Sequence, residues 1–124
     1  MISSTPHKVS KLQEKRAAKD YKGKVRPGSG NQWHSKGDVK AEAYLIECKT
    51  TSKASYSLKT GIMSKIMDEA LLEMLVPLLE IEFSEHGLTC VVMDKHDFLE
   101  MTDRIEVLEN QLENVYEDMH GSQA

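Results

Sequence analysis

The sequence predicts an α/β fold in which a small mixed β-sheet is flanked by helices. Apolar residues recur at helical spacing over residues 60–74, whereas the apolar segments at residues 44–46 and 78–83 are short and strand-like. The predicted order is helix, loop, hairpin, helix, strand, strand and helix. With 124 residues, the chain is long enough for one domain with a core of moderate size.

The first predicted helix follows an arm, residues 1–9, that is expected to be flexible because Ser, Thr and Pro are frequent in it. Ser10 can cap the helix, which is predicted to end near Tyr21 because Gly23 is a natural stop. The segment that follows, residues 28–31, is a Gly-Ser-Gly-Asn loop. Its backbone amides could bind phosphate, although ordinary turns have the same composition.

A β-hairpin is predicted over residues 38–51, with its turn centred on residues 42–43. In this register Val39 lies opposite Ile46, and the strands form the antiparallel part of the sheet. A Glu-Ala dipeptide is a poor two-residue turn, so a four-residue loop in the same register would serve equally well.

Three residues of this hairpin are candidates for chemistry. The register places Asp38 opposite Glu47 on one face of the sheet, and Lys49, two residues further on, projects from that face. Directly opposed carboxylates destabilise a sheet unless a cation lies between them. Mg²⁺ prefers such hard oxygen ligands, so the hairpin predicts a magnesium site.

The second half of the chain is predicted to continue with a brief strand at residues 56–58 and a helix at residues 60–74. The apolar stripe of this helix is expected to belong to the core, and Pro77 is expected to end it. Residues 78–83 and 88–93 are predicted to pair as antiparallel strands.

The last predicted helix covers residues 97–119 and is followed by a frayed tail, residues 120–124. Apolar residues recur three and four positions apart, in an a/d pattern of two heptads. They are Ile105, Leu108, Leu112, Val115 and Met119. The pattern favours docking of the helix on the body of the protein and leaves open docking against another subunit.

The charge distribution is strongly asymmetric. Residues 1–40 carry ten Lys or Arg against three acids, whereas the remaining 84 residues carry six against seventeen, for a net charge of −4. A basic first third indicates a polyanionic partner such as nucleic acid. No apolar run approaches the roughly 20 residues of a membrane span, and the first residues lack the apolar core of a signal peptide. Cys48 and Cys90 are expected to be buried thiols in a reducing cytoplasm.

Several residues admit two interpretations from sequence alone. Glu14 in the basic first helix most simply pairs with neighbouring lysines. Trp33 could stack on a base, although packing as a lid on the core is favoured. Lys65 lies off the apolar stripe of its helix, so it faces either the candidate site or solvent.

Together these residues resemble the PD-(D/E)xK nuclease superfamily, with Gly37-Asp38 in the place of its "PD" and Glu47-Cys48-Lys49 in the place of its "(D/E)xK". The pattern is most similar to the small Holliday junction resolvases of archaea and phages. The added residues are Glu14 in a basic first helix and the Arg-Pro-Gly-Ser-Gly loop at residues 26–30. The proline before Asp38 is absent here, a departure from the superfamily pattern.

The resemblance implies a restriction-endonuclease-like core and a metal site. Asp38, Glu47 and the backbone carbonyl of Cys48 would bind Mg²⁺, for which Mn²⁺ is expected to substitute. Glu14 would complete the site from the first helix. Lys49 would orient or help deprotonate the attacking water.

The resemblance also implies the substrate and the assembly. The expected protein is a homodimer that nicks two opposed strands of a four-way or otherwise branched DNA. Its expected location is the cytoplasm of a prokaryotic, archaeal or phage-infected cell. Another nuclease of this fold and a catalytically silent nucleic-acid-binding module are the alternatives. The residues expected to contact DNA come from the basic first third, with one lysine from the second helix. They are Lys11, Lys15, Arg16, Arg26, Ser29, Gly30, Asn31, Lys36 and Lys65.

Overall fold

The structure, a computed structural model, describes residues 6–26 and 38–121, with side chains from residue 8 onward. Within these ranges it is a mixed α/β fold with one five-stranded sheet and three helices. The elements are α1 (Pro6–Asp20), β1 (Lys24–Val25), β2 (Val39–Lys40), β3 (Tyr44–Thr51), α2 (Thr60–Leu72), β4 (Val76–Phe83), β5 (Leu88–Val92) and α3 (Lys95–His120). The chain forms two compact units, Met1–Met93 and Asp94–Ala124, called unit 1 and unit 2 below.

The sheet of unit 1 has the strand order β1-β2-β3-β4-β5. The β3–β4 pair is parallel and the other three pairs are antiparallel, so the sheet is mixed, as the sequence predicts. The hairpin register is also confirmed, with Val39 opposite Ile46 and Lys40 opposite Leu45. The predicted antiparallel pair of strands near the end of unit 1 is confirmed as β4 and β5.

Two helices cover opposite faces of this sheet. Ile46 of β3 packs with Val39 and with Ala17 of α1. Its neighbour Leu45 packs with Ile66 and Ala70 of α2. Successive side chains of a strand point to opposite faces, so these two clusters form the two layers of the core.

Only part of the predicted apolar stripe of α2 belongs to this core. Ile66 and Ala70 are buried, but Met67 and Leu71, each one position further along, are exposed. The helix presents one narrow face to the sheet, and neighbours about 100° around its axis cannot reach it. The predicted core role of Met67 and Leu71 is therefore wrong, as is that of Met74, which lies beyond the end of the helix and is exposed.

Several element boundaries differ from the prediction. Helix α1 begins at Pro6, so the last four residues of the expected arm are helical, while residues 1–5 lie outside the described ranges. Proline suits a first helical turn because the amide hydrogen it lacks would be unpaired there. The strand expected at residues 56–58 is absent from the structure. Strand β1 was missed because its two residues, both exposed, show no apolar alternation.

The other two corrections concern Pro77 and α3. Pro77 lies buried inside β4 instead of ending α2, which already stops at Leu72. Helix α3 begins two residues before the predicted start, because the side chain of Asp94 accepts a 2.9 Å hydrogen bond from the backbone amide of His96 and caps it. In the described part of the chain, no helix combines the length and apolar character needed to cross a membrane.

The end of α1 depends on a close backbone approach. Lys22 adopts a φ of 56°, and the amide of Gly23 donates to the carbonyl oxygen of Ala18 at 2.8 Å. This is the Schellman arrangement that ends many helices. A Cβ atom on Gly23 would lie 2.4 Å from the carbonyl oxygen of Lys40. Glycine is therefore required here by the contact with β2, and the left-handed position belongs to Lys22.

We expect Gly23→Ala to lower the free energy of unfolding by about 1–3 kcal/mol, because the added methyl group forces β2 away from the end of α1. Gly61→Ala is the matched control. Apart from its chain neighbours and the backbone of its own helix, no atom lies within 4 Å of a Cβ at that position, so the change should be neutral or stabilise by up to about 1 kcal/mol. Urea unfolding followed by circular dichroism measures both. Equal stability of the two variants would contradict the close approach of Gly23 to the carbonyl oxygen of Lys40.

Candidate functional site

Glu47 and Lys49 lie on the face of the sheet that α2 covers. They follow Leu45 at intervals of two residues along β3 and so share its face, and the side chain of Leu45 packs against α2. Lys49 Nζ lies 3.6 Å from Glu47 Oε1, and the side chain of Glu47 is only 16% exposed. Glu47 and Lys49 therefore share one face of the sheet, as the sequence predicts.

Asp38 is fixed beside them at the start of β2. Its Oδ2 accepts a 2.7 Å hydrogen bond from the backbone amide of Cys48. Its own amide donates to the carbonyl oxygen of Ile46, and its carbonyl oxygen accepts from the amide of Arg26, both at 2.9 Å. The carboxylate is therefore tied directly to the middle residue of the Glu-x-Lys segment.

The electrostatics of Glu47 reflect these neighbours. Burial raises the pKa of Glu47 to about 7, and the negative charges of Asp38 and Glu69 add to the rise. Lys49 and Lys65 partly offset it. An acid in this position binds a proton or a cation readily, because either relieves the repulsion between buried carboxylates.

A pocket of about 220 Å³ adjoins this group, and it has room for several water molecules. Its lining comes from β3 and the first half of α2 and consists of Glu47, Lys49, Gly61, Ile62, Lys65 and Ile66. Lys65, for which the candidate site and solvent were both open, is exposed and also lines this pocket, where its charge acts on Glu47.

Glu69 is a member of this group to which sequence reasoning gave no role. It is 6% exposed, on α2, and its charge acts on Glu47. A signal was available, since Glu69 follows Lys65 by four residues and side chains at that spacing share a helix face. Without knowledge of which face of α2 met the sheet, that spacing was indistinguishable from an ordinary surface pair.

Glu14 is placed differently from the other candidate ligands. It lies on α1, which packs against the opposite face of the sheet. Burial, then Asp38, Glu80 and Glu14, raise the pKa of the Cys48 thiol well above its usual range. The structure thus relates Glu14 to Cys48, and its expected role in completing a metal site stays a prediction.

The donor set near Asp38 fits a hard cation only in part. Two carboxylates, one immobilised by a backbone amide and one largely buried, suit Mg²⁺ or Mn²⁺. The Cys48 carbonyl was expected as a third ligand. Among residues 6–26 and 38–121, however, no cluster of three or more Asp, Glu, His or Cys side chains is arranged to hold a metal ion.

Apart from Lys65, which lines the pocket, the residues predicted to contact DNA fall into three groups. Lys11 and Lys15 are exposed on α1. The guanidinium of Arg16 donates to both carboxylate oxygens of Glu82 at 2.6 Å. Outside the described residues lie Ser29, Gly30, Asn31 and Lys36, together with Trp33.

The other predicted DNA contact, Arg26, forms an ion pair with Glu73 at the end of α2. Lys40 Nζ lies 3.2 Å from the same carboxylate. Burial alone would raise the pKa of Glu73, but the hydrogen bonds and charges of Arg26 and Lys40 together hold it below its usual range. Arg26 therefore has a structural partner that links the start of the sheet to α2.

Comparison of the chain with protein-family models, with curated proteins and with solved structures finds no match. The resemblance to the PD-(D/E)xK nucleases consequently depends on the spacing of Asp38, Glu47 and Lys49 and on the order of the elements.

We expect Glu47→Gln to make the metal-free protein more stable at pH 8 but not near pH 4. Between the ordinary pKa of 4.5 and the folded-state value of about 7, the folded protein holds a proton that the unfolded chain releases. Stability therefore falls as pH rises through this window and stays reduced above it. Glutamine cannot ionise, so the variant should gain about 1–3 kcal/mol at pH 8.

Urea unfolding in EDTA at several pH values measures this difference. Glu42→Gln, an exposed acid in the hairpin connection, serves as the control and should follow the unchanged protein at every pH. Parallel stability curves for the unchanged protein and Glu47→Gln would show that Glu47 ionises normally in the folded state.

Proposed function

We propose that this chain is a metal-dependent endodeoxyribonuclease with a restriction-endonuclease-like core of the PD-(D/E)xK type, and that it resolves four-way DNA junctions by paired nicks. The observation that carries the proposal is the coupling of Asp38 with Glu47. The charge of Asp38 helps to raise the pKa of Glu47 to about 7, and Lys49 Nζ lies 3.6 Å from the Glu47 carboxylate.

The two acids are suited to hold Mg²⁺ or Mn²⁺. The hydrogen bond from the Cys48 amide fixes the Asp38 carboxylate, and burial limits the motion of Glu47. Such preorganised oxygen donors need little rearrangement when a cation binds. A divalent metal, when bound, supplies a nucleophilic hydroxide near neutral pH and stabilises charge on the phosphate oxygens.

The lysines of the site have complementary roles. Lys49 projects from the same face as Glu47, where its ammonium group can orient the attacking water and offset the charge that develops on the scissile phosphate. Lys65 lines the same pocket and can hold a phosphate oxygen.

The unfavourable electrostatic energy of these acids favours a nuclease over a module that only binds DNA. A module that only binds DNA gains nothing from such carboxylates, because they repel phosphate, and here the charges of Asp38 and Glu69 raise the pKa of Glu47. The basic first third of the chain, with Lys11 and Lys15 exposed on α1, supports a polyanionic substrate. The choice of a four-way junction over another DNA rests on the resemblance, because junctions are recognised by shape more than by base edges.

We expect Asp38→Asn and Glu47→Gln each to lower the rate of junction cleavage in Mg²⁺ by about a thousandfold or more, since a bound metal contributes several kcal/mol to the transition state. DNA binding should be retained or tightened, because a negative charge near phosphate is removed. Cleavage of a labelled junction and a gel-shift titration measure the two effects, with Glu42→Gln as an active control.

Parallel reactions on a four-way junction, a linear duplex and a flap separate the alternatives. Symmetric cutting of the junction alone supports resolution, whereas cutting of duplex or flap indicates another nuclease of the same fold. Binding without cutting of any substrate in Mg²⁺ or Mn²⁺ would exclude both nucleases. Loss of binding in Asp38→Asn and Glu47→Gln would make these acids structural.

A further pair of variants tests the third acid. We expect Glu14→Gln to reduce cleavage at least about tenfold without shifting the pKa of Glu47. Glu69→Gln should lower the pKa of Glu47, because it removes a negative charge that acts on that carboxyl group. An NMR titration of the labelled Glu47 carboxyl carbon in EDTA measures the pKa. Full activity of Glu14→Gln would remove that residue from the site.

A further inference from the structure

Helix α3, the main element of unit 2, carries a row of exposed apolar side chains at the a and d positions of its heptads. This row, which includes Ile105, Leu108, Leu112, Val115 and Met119, is called the seam below. None of its residues is buried, and Leu112 is 70% exposed. Because the helix begins at Lys95, Phe98 and Met101 extend the predicted a/d pattern by one heptad, so that it runs unbroken from Phe98 to Met119. Three heptads approach the length at which such a pattern indicates a coiled coil.

We propose that a second copy of this chain covers the seam, and that the two α3 helices form a parallel two-stranded coiled coil in register. This inference concerns the interface of a dimer and does not require the proposed nuclease activity.

The charges that flank the seam favour this partner and orientation. In a parallel pair, each g residue faces the e residue five positions further along the other helix. This rule brings Arg104 of each copy to Glu109 of the other, which gives two ion pairs related by symmetry. The remaining facing positions pair Asp97 with Thr102 and Gln111 with Tyr116, so no two like charges meet.

Antiparallel alignments are less favourable. Two of them keep six of the seven seam positions of each helix in contact. When Ile105 of one copy faces Leu108 of the other, Asp97 faces Asp118. When Ile105 faces Val115, Glu109 of one copy faces Glu109 of the other. Each brings acids together, whereas the parallel alignment keeps all seven seam positions and avoids like charges.

The parallel orientation also has a consequence for unit 1. Both chains pass from Met93 to Asp94 at the same end of the coiled coil, so the two copies of unit 1 are joined there. In an antiparallel pair of 26-residue helices, these connections would be separated by roughly 40 Å.

Sedimentation velocity of the full chain, without DNA or metal, tests the interface. We expect a dimer whose apparent dissociation constant rises about a hundredfold or more in Leu108→Glu, because an unpaired carboxylate enters the seam. Val107→Glu is the matched control, since Val107 and Leu108 are similarly exposed, at 53% and 56%, but Val107 lies outside the seam. Circular dichroism of the β-rich unit 1 checks that both variants fold.

Two further variants test the orientation. Arg104→Glu should weaken the dimer, and the exchange Arg104→Glu with Glu109→Arg should restore it. Val115→Cys should form a disulfide-linked dimer on mild oxidation, because position 115 meets itself only in the parallel register. Glu117→Cys, on the outer face, should not exceed the background of Cys48 and Cys90.

A monomer at all concentrations would overturn the proposal and mean that the seam is covered by unit 1 or by a different protein. A dimer that Leu108→Glu leaves intact would place the interface elsewhere. A dimer without Val115→Cys cross-linking would overturn the parallel orientation. None of these measurements uses DNA cleavage, so their failure is distinguishable from failure of the proposed function.

Discussion

The parallel pairing of β3 with β4 is the constraint on which unit 1 depends. Parallel neighbours cannot be joined by a tight turn, so the chain must cross over between them, and α2 is that crossover. The crossover covers one face of β3, and α1 covers the other. Glu47 and Lys49, on the α2 face, thereby line an open pocket whose second wall is α2 itself.

Polar residues are buried in both layers, but their surroundings differ. On the α1 side, Gln13 is fully buried and its side-chain amide donates to the carbonyl oxygen of Glu80 at 3.2 Å. Burial, followed by a hydrogen bond to Glu80, raises the pKa of Tyr21 above its usual range. These contacts anchor α1. On the α2 side, Glu47 and Glu69 are acids near one another, an arrangement that costs stability and is typical of functional sites.

The sequence predicted what depends on local periodicity. Short apolar segments located β3 and β4, and β-branched residues located β5. The opposition of Val39 to Ile46 was enough to place Asp38 near Glu47. Interactions between distant segments could not be predicted. Arg16 meets an acid 66 residues away and Arg26 one 47 residues away, so both looked like free cations in a basic segment. Glu69 was hidden for a related reason, since its environment depends on how α2 meets the sheet.

The two units meet different requirements of the proposed reaction. In the proposed reaction, the single Asp38–Glu47 pair of each copy of unit 1 serves the hydrolysis of one phosphodiester at a time. Paired nicks in opposed strands therefore require two copies held together long enough for both cuts. In the proposed dimer, the seam of α3 provides an association independent of DNA. The seam lies apart from Asp38 and Glu47 along the chain, so the two proposed requirements are met by different segments.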